Sequence, residues 1–326
     1  SVEGAPATVN ADGGGRITVR YRKEPGSGRV WIPIAAEDRV LSFTGEELHG
    51  GGAPSYTLPM PAGSSPDAVA FRRGDLFVSL AGAGEILGFD VMAIAQPGEP
   101  PAPKVTIRNL ARPSAIAFDS SGDLFVAETA SRSVSRFAGI EEAPKRKSMI
   151  LLDGTPRALA FNEAGTLFVA TSDPPSVVVY SGAALAGTTP APQGAIAGPK
   201  TGLTSPSGLA FDADGGLWVS NGEQSPAVRF DAAVVLGIEG AIEAEPAATL
   251  APPSGATFDA LAFDKDGADW FTARREQSRE LFTGIQMQTP RPALGAPRPL
   301  PVERPQTFGA AALAFNPPPV SSPIRR

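Results

Sequence analysis

"PSAIAFDSSGDLFVAE" covers residues 113–128 and combines two apolar segments with a short polar turn between them. Ile116 and Phe118 alternate with alanines in the first segment, and Leu124 and Val126 alternate with other apolar residues in the second. Because both faces of both segments are apolar, the pattern predicts a β-hairpin that is covered on both sides. The turn "DSSGD" supplies the Asp and Gly residues that tight hairpins favour.

The same pattern recurs along the chain. Further copies start with "PDAVAF" at Pro66, "PRALAF" at Pro156, "PSGLAF" at Pro206 and "FDALAF" at Phe258, and a truncated copy, "GAAALAFN", starts at Gly309. The Phe of each "AF" step recurs every 43 to 52 residues, at Phe71, Phe118, Phe161, Phe211, Phe263 and Phe315. An internal repeat of this length indicates a propeller, a solenoid or another array.

Two more strands follow each hairpin. In the copy that starts at Pro113, "SVSRF" alternates polar and apolar residues, which predicts a third strand farther from the centre. A fourth strand follows a connection rich in Gly and Pro, as in "KVTIRNL" (104–110). Four antiparallel strands that are covered on both faces by neighbouring copies form one propeller blade.

The two ends of the chain complement each other. "RVWIPI" (29–34), "DRVLSF" (38–43) and "SYTLPM" (55–60) match the second, third and fourth strands of a blade that lacks its inner strand. Residues 310–316 supply an inner strand alone, so we expect them to complete that blade and close the ring. A solenoid would need capping repeats, which the sequence lacks. "RITVRYRK" (16–23) could lengthen the closing blade or lie across one face of the ring.

The predicted fold is therefore all-β: a six-bladed propeller of four-stranded antiparallel blades, closed by the C-terminal strand. Its 36 Gly and 34 Pro residues disfavour long helices and favour short strands joined by turns. The predicted organisation is a flexible tether over residues 1–15, one propeller over 16–318 and a C-terminal tail over 319–326.

The repeat "PSAIAFDSSGDLFVAETASRSVSRF" resembles the NHL family. It shares that family's order of elements: Pro, inner strand, Asp/Gly hairpin, aromatic-rich second strand, polar loop, then Arg and a closing Phe. It is also similar to the YncE-like and streptogramin-lyase-like six-bladed propellers of bacteria, most clearly in "PSGLAFDADGGLWVSN". The resemblance covers residues 28–318 and implies an architecture, but it does not specify an activity.

Composition excludes or disfavours several kinds of partner and site. The net charge of −6 argues against nucleic acid as a partner, because phosphate contacts require a basic excess. The absence of cysteine excludes disulfides and thiolate metal sites. No apolar run approaches the roughly 18 residues of a membrane span.

The sequence also suggests a location. The small-residue stretch "SVEGAPATVNADGGG" is typical of an exported protein after signal removal, although a cytoplasmic protein with an arbitrary start fits nearly as well. We expect a monomer that is periplasmic, outer-membrane-associated or extracellular. A lipid anchor ahead of Ser1 stays open.

Strand polarity predicts where a site would lie. The loop that enters each inner strand and the loop that leaves each second strand meet at one end of the ring, close to the axis, where propeller ligands collect. Thr129 and Ser220 lie among these loops, and the candidates for binding a ligand or partner are Arg112, Glu128, Asp173, Asn221, Arg274 and Arg275. Guanidinium groups match carboxylates and phosphates. We therefore expect a non-catalytic binding or scaffold protein for a protein partner or a small anionic ligand. The alternative is that these are ordinary solvated loop residues.

A resemblance to lactonase and regucalcin-type propellers implies a second hypothesis. There Glu128, Asp173 and Asn221 would hold a divalent metal such as Ca²⁺ in a lyase-like or lactonase-like enzyme. The streptogramin-lyase-like alternative needs a catalytic histidine, and His49 is the one histidine of the chain. It lies between a third and a fourth strand, at the other end of the ring, so the sequence predicts no catalytic residue.

Three further motifs are expected to be structural. "HGGG" (49–52) resembles an esterase oxyanion element, but no "GxSxG" accompanies it. "DADG" (212–215) and "DKDG" (264–267) lack the remaining ligands of a calcium loop and are predicted to be hairpin turns. The tryptophans occupy equivalent second-strand positions and are predicted to be core residues: Trp31, Trp218 and Trp270.

Overall fold

The structure is a computed structural model. It describes residues 7–10, 16–19, 29–44, 53–96, 98–212, 214–222, 225–252, 256–263, 269–275, 278–283, 298–299 and 314–316. A two-stranded hairpin comes first and contains β1 (Ala7–Asn10) and β2 (Arg16–Val19). Among the described residues β2 pairs with β1 and not with sheet A, so residues 16–19 do not lengthen the closing blade; residues 20–23 of that segment lie outside the described part.

The remaining strands form antiparallel sheets of similar design. Sheet A contains β27 (Ala314–Asn316), β3 (Arg29–Ile34), β4 (Arg39–Thr44) and β5 (Tyr56–Pro59), in this spatial order. Sheet B contains β6 (Pro66–Arg72), β7 (Asp75–Leu80), β8 (Glu85–Asp90) and β9 (Val105–Ile107). Sheet C contains β10 (Pro113–Phe118), β11 (Leu124–Glu128), β12 (Ser133–Ala138) and β13 (Lys145–Leu151).

Three more sheets follow along the chain. Sheet D contains β14 (Thr155–Phe161), β15 (Leu167–Ser172), β16 (Ser176–Tyr180), β17 (Gly194–Ala197) and β21 (Gly240–Ile242). Sheet E contains β18 (Pro206–Phe211), β19 (Leu217–Asn221), β20 (Ala227–Phe230) and β22 (Ala248–Leu250). Sheet F contains β23 (Ala256–Phe263), β24 (Asp269–Arg275), β25 (Ser278–Thr283) and β26 (Arg298–Pro299).

Helices are short in the part of the chain that the structure describes. Each of the three α-helical turns follows the third strand of a sheet: α1 (Val91–Ile94), α2 (Gly182–Leu185) and α3 (Ala232–Leu236). Two 3₁₀ turns span Ala35–Glu37 and Pro199–Thr201. None of the helices among the described residues has the length and apolar character needed to cross a membrane.

The expectation of six four-stranded antiparallel blades is wrong in one respect. Five sheets have four strands, whereas sheet D has five, because β21 pairs in parallel with the outer strand β17. Gly194 permits this approach, since a Cβ at that position would collide with the carbonyl oxygen of Gly240. β21 belongs to the connection between β20 and β22 of sheet E, so that connection covers the outer edge of the neighbouring sheet.

The predicted closure of the ring is confirmed. β27, close to the end of the chain, pairs antiparallel with β3, with Ala314 opposite Trp31 and Phe315 opposite Val30. The inner strands also contact one another in succession, from β27 to β6, β10, β14, β18 and β23, and β23 contacts β27 again. The chain therefore closes on itself, and the first sheet is assembled from both ends of the sequence.

Aromatic residues join neighbouring sheets and account for the repeat signature. In the four "AF" steps whose Phe side chain the structure describes, this Phe packs edge-on against the second-strand aromatic residue of the preceding sheet, in the pairs Trp31–Phe71, Phe77–Phe118, Phe125–Phe161 and Phe168–Phe211. Such edge-to-face contacts stabilise a core beyond simple burial. Trp31 and Trp218 are fully buried, which confirms them as core residues. The side chain of Trp270 lies outside the described part.

Candidate functional site

Strand register places the predicted site residues at one end of the ring. Pro113 at the start of β10 lies opposite Glu128 at the end of β11, and Pro206 lies opposite Asn221 in the same way. We call this end, where inner strands begin and second strands finish, the mouth. The mouth is thus built from backbone pairing that recurs in successive sheets.

Glu128 is at the mouth end of β11, but its carboxylate is turned into the protein. The residue is 2% exposed. One carboxylate oxygen accepts a hydrogen bond from the amide of Ala111 at 2.6 Å, and the other accepts one from the Ser135 hydroxyl at 2.5 Å. Arg146 approaches the second oxygen at 3.5 Å. These groups compensate a buried charge, so Glu128 fastens the loop ahead of β10 to sheet C.

Asn221 plays the same part in sheet E. It is fully buried, its side-chain oxygen accepts from the amide of Thr204 at 3.1 Å, and its NH₂ donates to the carbonyls of Gly202 and Pro226. Its capacity for hydrogen bonds is therefore used by its own chain. We leave Glu128 and Asn221 out of the candidate site, because neither offers a free polar atom to a ligand.

The predicted metal ligands do not fit a divalent cation. Hard cations such as Ca²⁺ require several oxygen ligands that converge on one point. Glu128 and Asn221 would have to give up the hydrogen bonds just described, and only Asp173 is exposed. Among the described residues, no group of three or more His, Cys, Asp or Glu side chains is placed to hold a metal ion.

Arg112 is an exposed residue at the end of the loop that Glu128 fastens. Its backbone adopts the left-handed conformation, with φ of 60°. Its carbonyl oxygen accepts hydrogen bonds from both the amide and the hydroxyl of Thr129, each at 3.1 Å. The bonds from Ala111 and Thr129 fix both sides of the residue, while the guanidinium group remains exposed.

A second set of mouth residues was missed in the sequence. In five of the six inner strands, all but β27 as the structure describes it, the register shifts near the start of the strand, which leaves one unpaired residue. These bulge residues are Asp67, Ser114, Arg157, Ser207 and Asp259. Bulges redirect side chains and often accompany sites. The recurring "Pro-x-Ala" or "Pro-x-Gly" step could have revealed them.

Two of the bulge residues form hydrogen bonds that connect the bulges of neighbouring inner strands. The Ser114 hydroxyl donates to the carbonyl of Pro156, the residue that precedes the next bulge residue, at 3.4 Å. The Ser207 hydroxyl does the same toward the carbonyl of Phe258 at 3.2 Å. Each of these bulge residues therefore reaches the neighbouring bulge, and we call the five positions the bulge ring.

Arg157 is the exposed cation of the bulge ring. It is exposed although Pro156 and Ala158 on either side are buried. Among the arginines whose side chains the structure describes, Arg112 and Arg157 are the two whose guanidinium groups make no hydrogen bond, ion pair or aromatic contact. Every other one engages a carboxylate, a carbonyl or a ring, as the ion pairs of Arg72, Arg136 and Arg229 illustrate. Arg112 lies in the loop ahead of sheet C and Arg157 in the inner strand of sheet D, and the inner strands of these two sheets are in contact.

The other predicted residues are placed as follows. Arg274 and Arg275 lie within β24, opposite Thr257 and Ala256, and not in a loop after it. This extension carries the second strand of sheet F two residues farther at the mouth. Ser220 is buried and close to the Ser207 hydroxyl at 3.0 Å. His49 with its "HGGG" motif and the turn at 264–267 lie outside the described residues.

The turn at 212–215 is a hairpin turn, as predicted. One carboxylate oxygen of Asp212 accepts from the amides of Asp214 and Gly216 across the turn. The other accepts from Arg229 at 2.6 Å and from the Trp218 indole at 3.1 Å. Because the positively charged Arg229 occupies the Asp212 carboxylate, this turn does not fit a calcium loop. Burial lowers the pKa of Arg229, but its bonds to the carboxylates of Asp212 and Asp231 outweigh that effect and hold the pKa above its usual value.

Comparisons with known proteins identify the architecture. No family model and no curated protein matches this chain. Virginiamycin B lyase from Staphylococcus aureus is similar in structure, with a TM-score of 0.53 and 13% identity over 82% of this chain and 86% of that one. A streptogramin B lyase gives a TM-score of 0.55 at 13% identity over 91% and 86%. A putative 6-phosphogluconolactonase from Bacteroides uniformis gives 0.54 at 13% over 93% and 92%. At such identities the similarity concerns the fold alone: the chain is a β-propeller of antiparallel, four-stranded blades.

Proposed function

We propose that the protein is a non-catalytic binding module whose mouth takes an anionic group of a small ligand or of a partner protein. The observation that carries this proposal is the pair of free guanidinium groups of Arg112 and Arg157. Both are exposed at the mouth, Arg112 in the loop ahead of sheet C and Arg157 in sheet D, and the inner strands of these sheets are in contact. Guanidinium groups bind carboxylates and phosphates through paired hydrogen bonds.

The frame around these arginines supports the proposal. Arg112 is held by the bonds of Ala111 and Thr129, and Arg157 projects from a strand paired on both sides of its bulge. Binding at such a site orders little backbone, so the energetic cost of association is low. Every other arginine whose side chain is described is engaged with a group of the protein itself, which leaves this pair available.

We also propose a blade count for the ring that carries the site. We count sheet D, whose first four strands are antiparallel, as one blade, and this count gives six blades around one axis. The closed succession of inner-strand contacts supports it, and so does the repeat that resembles the NHL and YncE-like families. Six blades would place the bulge of sheet D across the mouth from β27.

Further proposals concern other residues, a second activity and the setting of the protein. Asp173, which is exposed just after β15, and the last two residues of β24, Arg274 and Arg275, lie at the mouth end of their sheets and are proposed as additional ligand contacts. A metal-dependent lyase or lactonase remains an alternative, supported only by low-identity likeness, because Glu128 and Asn221 are committed to their own sheets. Export and the monomeric state stay predictions, which cell fractionation and analytical ultracentrifugation would check.

Calorimetric titration tests the anion site. With citrate as the probe at constant ionic strength and pH 7, Arg112→Gln and Arg157→Gln should each weaken binding about tenfold, the value of one charged hydrogen bond. Arg108→Gln is the matched control, since Arg108 is exposed on the outer strand side and paired with Glu85. Equal citrate affinity in all four proteins would contradict the proposal.

A further inference from the structure

Sheet C has the longest outer edge in the part of the chain that the structure describes. Its outer strand β13 has seven residues, whereas the outer antiparallel strands of the other sheets have two to four. β21 covers the outer strand of sheet D, but no described strand pairs with the outer side of β13. Proteins usually shorten or cover such edges, because their unpaired N–H and C=O groups attract further strands. β13 therefore offers an added strand the most backbone partners.

The hydrogen bonds of β13 show which backbone groups face this edge. The amide of Leu152 donates to the carbonyl of Arg132 at 2.9 Å, immediately after the last strand pair. Hydrogen-bonded and non-hydrogen-bonded pairs alternate in an antiparallel ladder, so Leu151 and Met149 belong to non-hydrogen-bonded pairs. The N–H and C=O groups of these two residues consequently point away from β12, toward the open edge.

The exposed side chains of β13 form a basic end and an apolar end. Lys145 and Lys147 are exposed at the start of the strand, and neither makes a hydrogen bond or ion pair through its side chain among the described residues. Met149 is 44% exposed and Leu151 71% exposed toward the end of the strand. A strand that pairs with β13 would therefore meet two cations and then two apolar side chains.

We propose that β13 binds an extended acidic segment of another protein, which adds to sheet C as a further strand. Acidic residues of the segment pair with Lys145 and Lys147, and alternate apolar residues cover Met149 and Leu151. Backbone hydrogen bonds join the segment to the outward-facing groups of β13, as in other complexes formed by strand addition. The site is separate from the mouth function proposed above, because β11 and β12 lie between β13 and the inner strand β10.

Charge complementarity favours this partner over other strands. Edge lysines and bulges discourage pairing, and the register shift in β13 leaves Lys147 itself unpaired with β12. An acidic segment neutralises the lysines, whereas a basic segment is repelled, so the same residues provide specificity. A second copy paired antiparallel about the strand centre would place the basic end of each β13 against the apolar end of the other, and the lysines would gain no partner.

Two short peptides, capped at both ends, test the proposal. EEETVTV fits β13 in the parallel direction that β21 takes on β17, and the reversed sequence VTVTEEE fits the antiparallel direction. In fluorescence anisotropy with the full chain at low ionic strength, at least one should bind saturably and about tenfold more tightly than KKKTVTV. Hydrogen exchange at the amides of Met149 and Leu151 should slow when that peptide is added.

Charge-reversal variants locate the contact. Lys145→Glu and Lys147→Glu should each weaken binding of the acidic peptide about fivefold. Lys200→Glu is the matched control, since Lys200 is exposed in the connection between sheets D and E, and it should leave binding unchanged. Thermal melts establish that each variant is folded. An equal effect of all three variants would show a general charge effect and overturn the proposal.

Other outcomes would also overturn it. Failure of both acidic peptides to bind would do so, and so would binding that leaves exchange at Met149 and Leu151 unchanged, because charge attraction alone does not need the open edge. If the chain sediments as a dimer whose Met149 and Leu151 amides are protected without peptide, a second copy occupies the edge instead. Arg157→Gln should not alter peptide binding, so this proposal and the anion site can fail separately.

Discussion

At the scale of single residues, one carboxylate organises the mouth end of sheet A. Asp38 follows β3 in the left-handed conformation, and its oxygens accept from the amides of Gly63 and Ser65 at 2.6 and 2.8 Å. The hydroxyl of Ser64 adds a longer bond at 3.4 Å. The bond from Ser65 is the largest of the hydrogen-bond effects that hold the pKa of Asp38 below its ordinary value, and they outweigh the opposing effect of burial. The loop before the first complete repeat is therefore fixed by an ionised side chain.

Asp38→Asn should lower the free energy of unfolding by about 1 kcal/mol at pH 7, because a charged acceptor is replaced by a neutral one. Since the folded pKa lies below the unfolded one, the stabilisation is complete above the unfolded pKa and is lost as pH falls through the folded value. Urea denaturation at pH 7 and near pH 3 checks this. The two proteins should differ at pH 7 and converge in acid, while Glu245→Gln should match the wild type at both; a difference that persists unchanged near pH 3 would argue against a role for the ionised form.

Residue patterns also show what the sequence could not reveal. The Asp of the hairpin turn and the Arg before the closing Phe are recognisable repeat positions, but their ion pair is not. The structure joins Arg229 to Asp212 at 2.6 Å and Arg136 to Asp123 at 2.7 Å. Contacts between a turn and a third strand depend on how far the strands twist, which composition and periodicity do not specify.

At the scale of elements, the connection between β20 and β22 acts as a strap on the neighbouring sheet. Besides the pairing of β21 with β17, the Gln193 side chain donates to the carbonyl of Ile238 at 2.8 Å, and the amide of Gly240 donates to the carbonyl of Gln193 at 3.0 Å. The strap covers an outer edge that would otherwise offer unpaired backbone groups. Sheets D and E are thus joined at the periphery as well as through their inner strands.

Gly194→Val should displace this strap, because even a Cβ at Gly194 meets the backbone of Gly240. The expected cost is about 1–3 kcal/mol in unfolding free energy, as for other overpacked sites. Hydrogen exchange should also accelerate at the amides of β21. Ala195→Val is the matched control, since Ala195 is only half-buried in the same strand. If Gly194→Val leaves exchange in β21 unchanged, the strap does not depend on this close approach.

At the scale of the whole molecule, sheet A depends on strands from the two ends of the chain. β27 gives β3 its inner neighbour and also contacts β6 and β23 on either side. Without β27, the inner edge of sheet A would have unpaired backbone, and the adjoining inner strands would lose a neighbour. Closure therefore couples the stability of the first sheet to the last repeat.

A chain that ends at residue 308 should melt at least about 10 °C below the full chain, the effect of losing several kcal/mol in a protein of this size. Trp31 is fully buried in the full chain and lies opposite Ala314 of β27. In the chain that ends at residue 308, the fluorescence of Trp31 should therefore shift toward that of an exposed indole. A chain that ends at residue 318 is the control and should melt like the full chain. Equal melting of the two truncated forms would show that β27 contributes little to the ring.

Local pattern determined much of this fold. The repeat positions, the hairpins, the burial of Trp31 and Trp218 and the complementary ends follow from two-residue alternation and its period, which depend on neighbouring residues along the chain. Strand polarity also determines which loops meet at the mouth, and Arg112 lies in one of them, while its role in binding stays a prediction.

Tertiary structure decided the rest. Glu128 and Asn221 are buried and hold the neighbouring loops by hydrogen bonds, because these loops fold over the strand ends. Periodicity does not encode how loops fold. Arg157 entered the site through a one-residue bulge that changes which way the side chain projects, and β21 joined a sheet that its own repeat does not belong to. In each case the deciding contact joins residues far apart in the sequence, so the sequence determined the blades, while packing between them determined which side chains face the mouth.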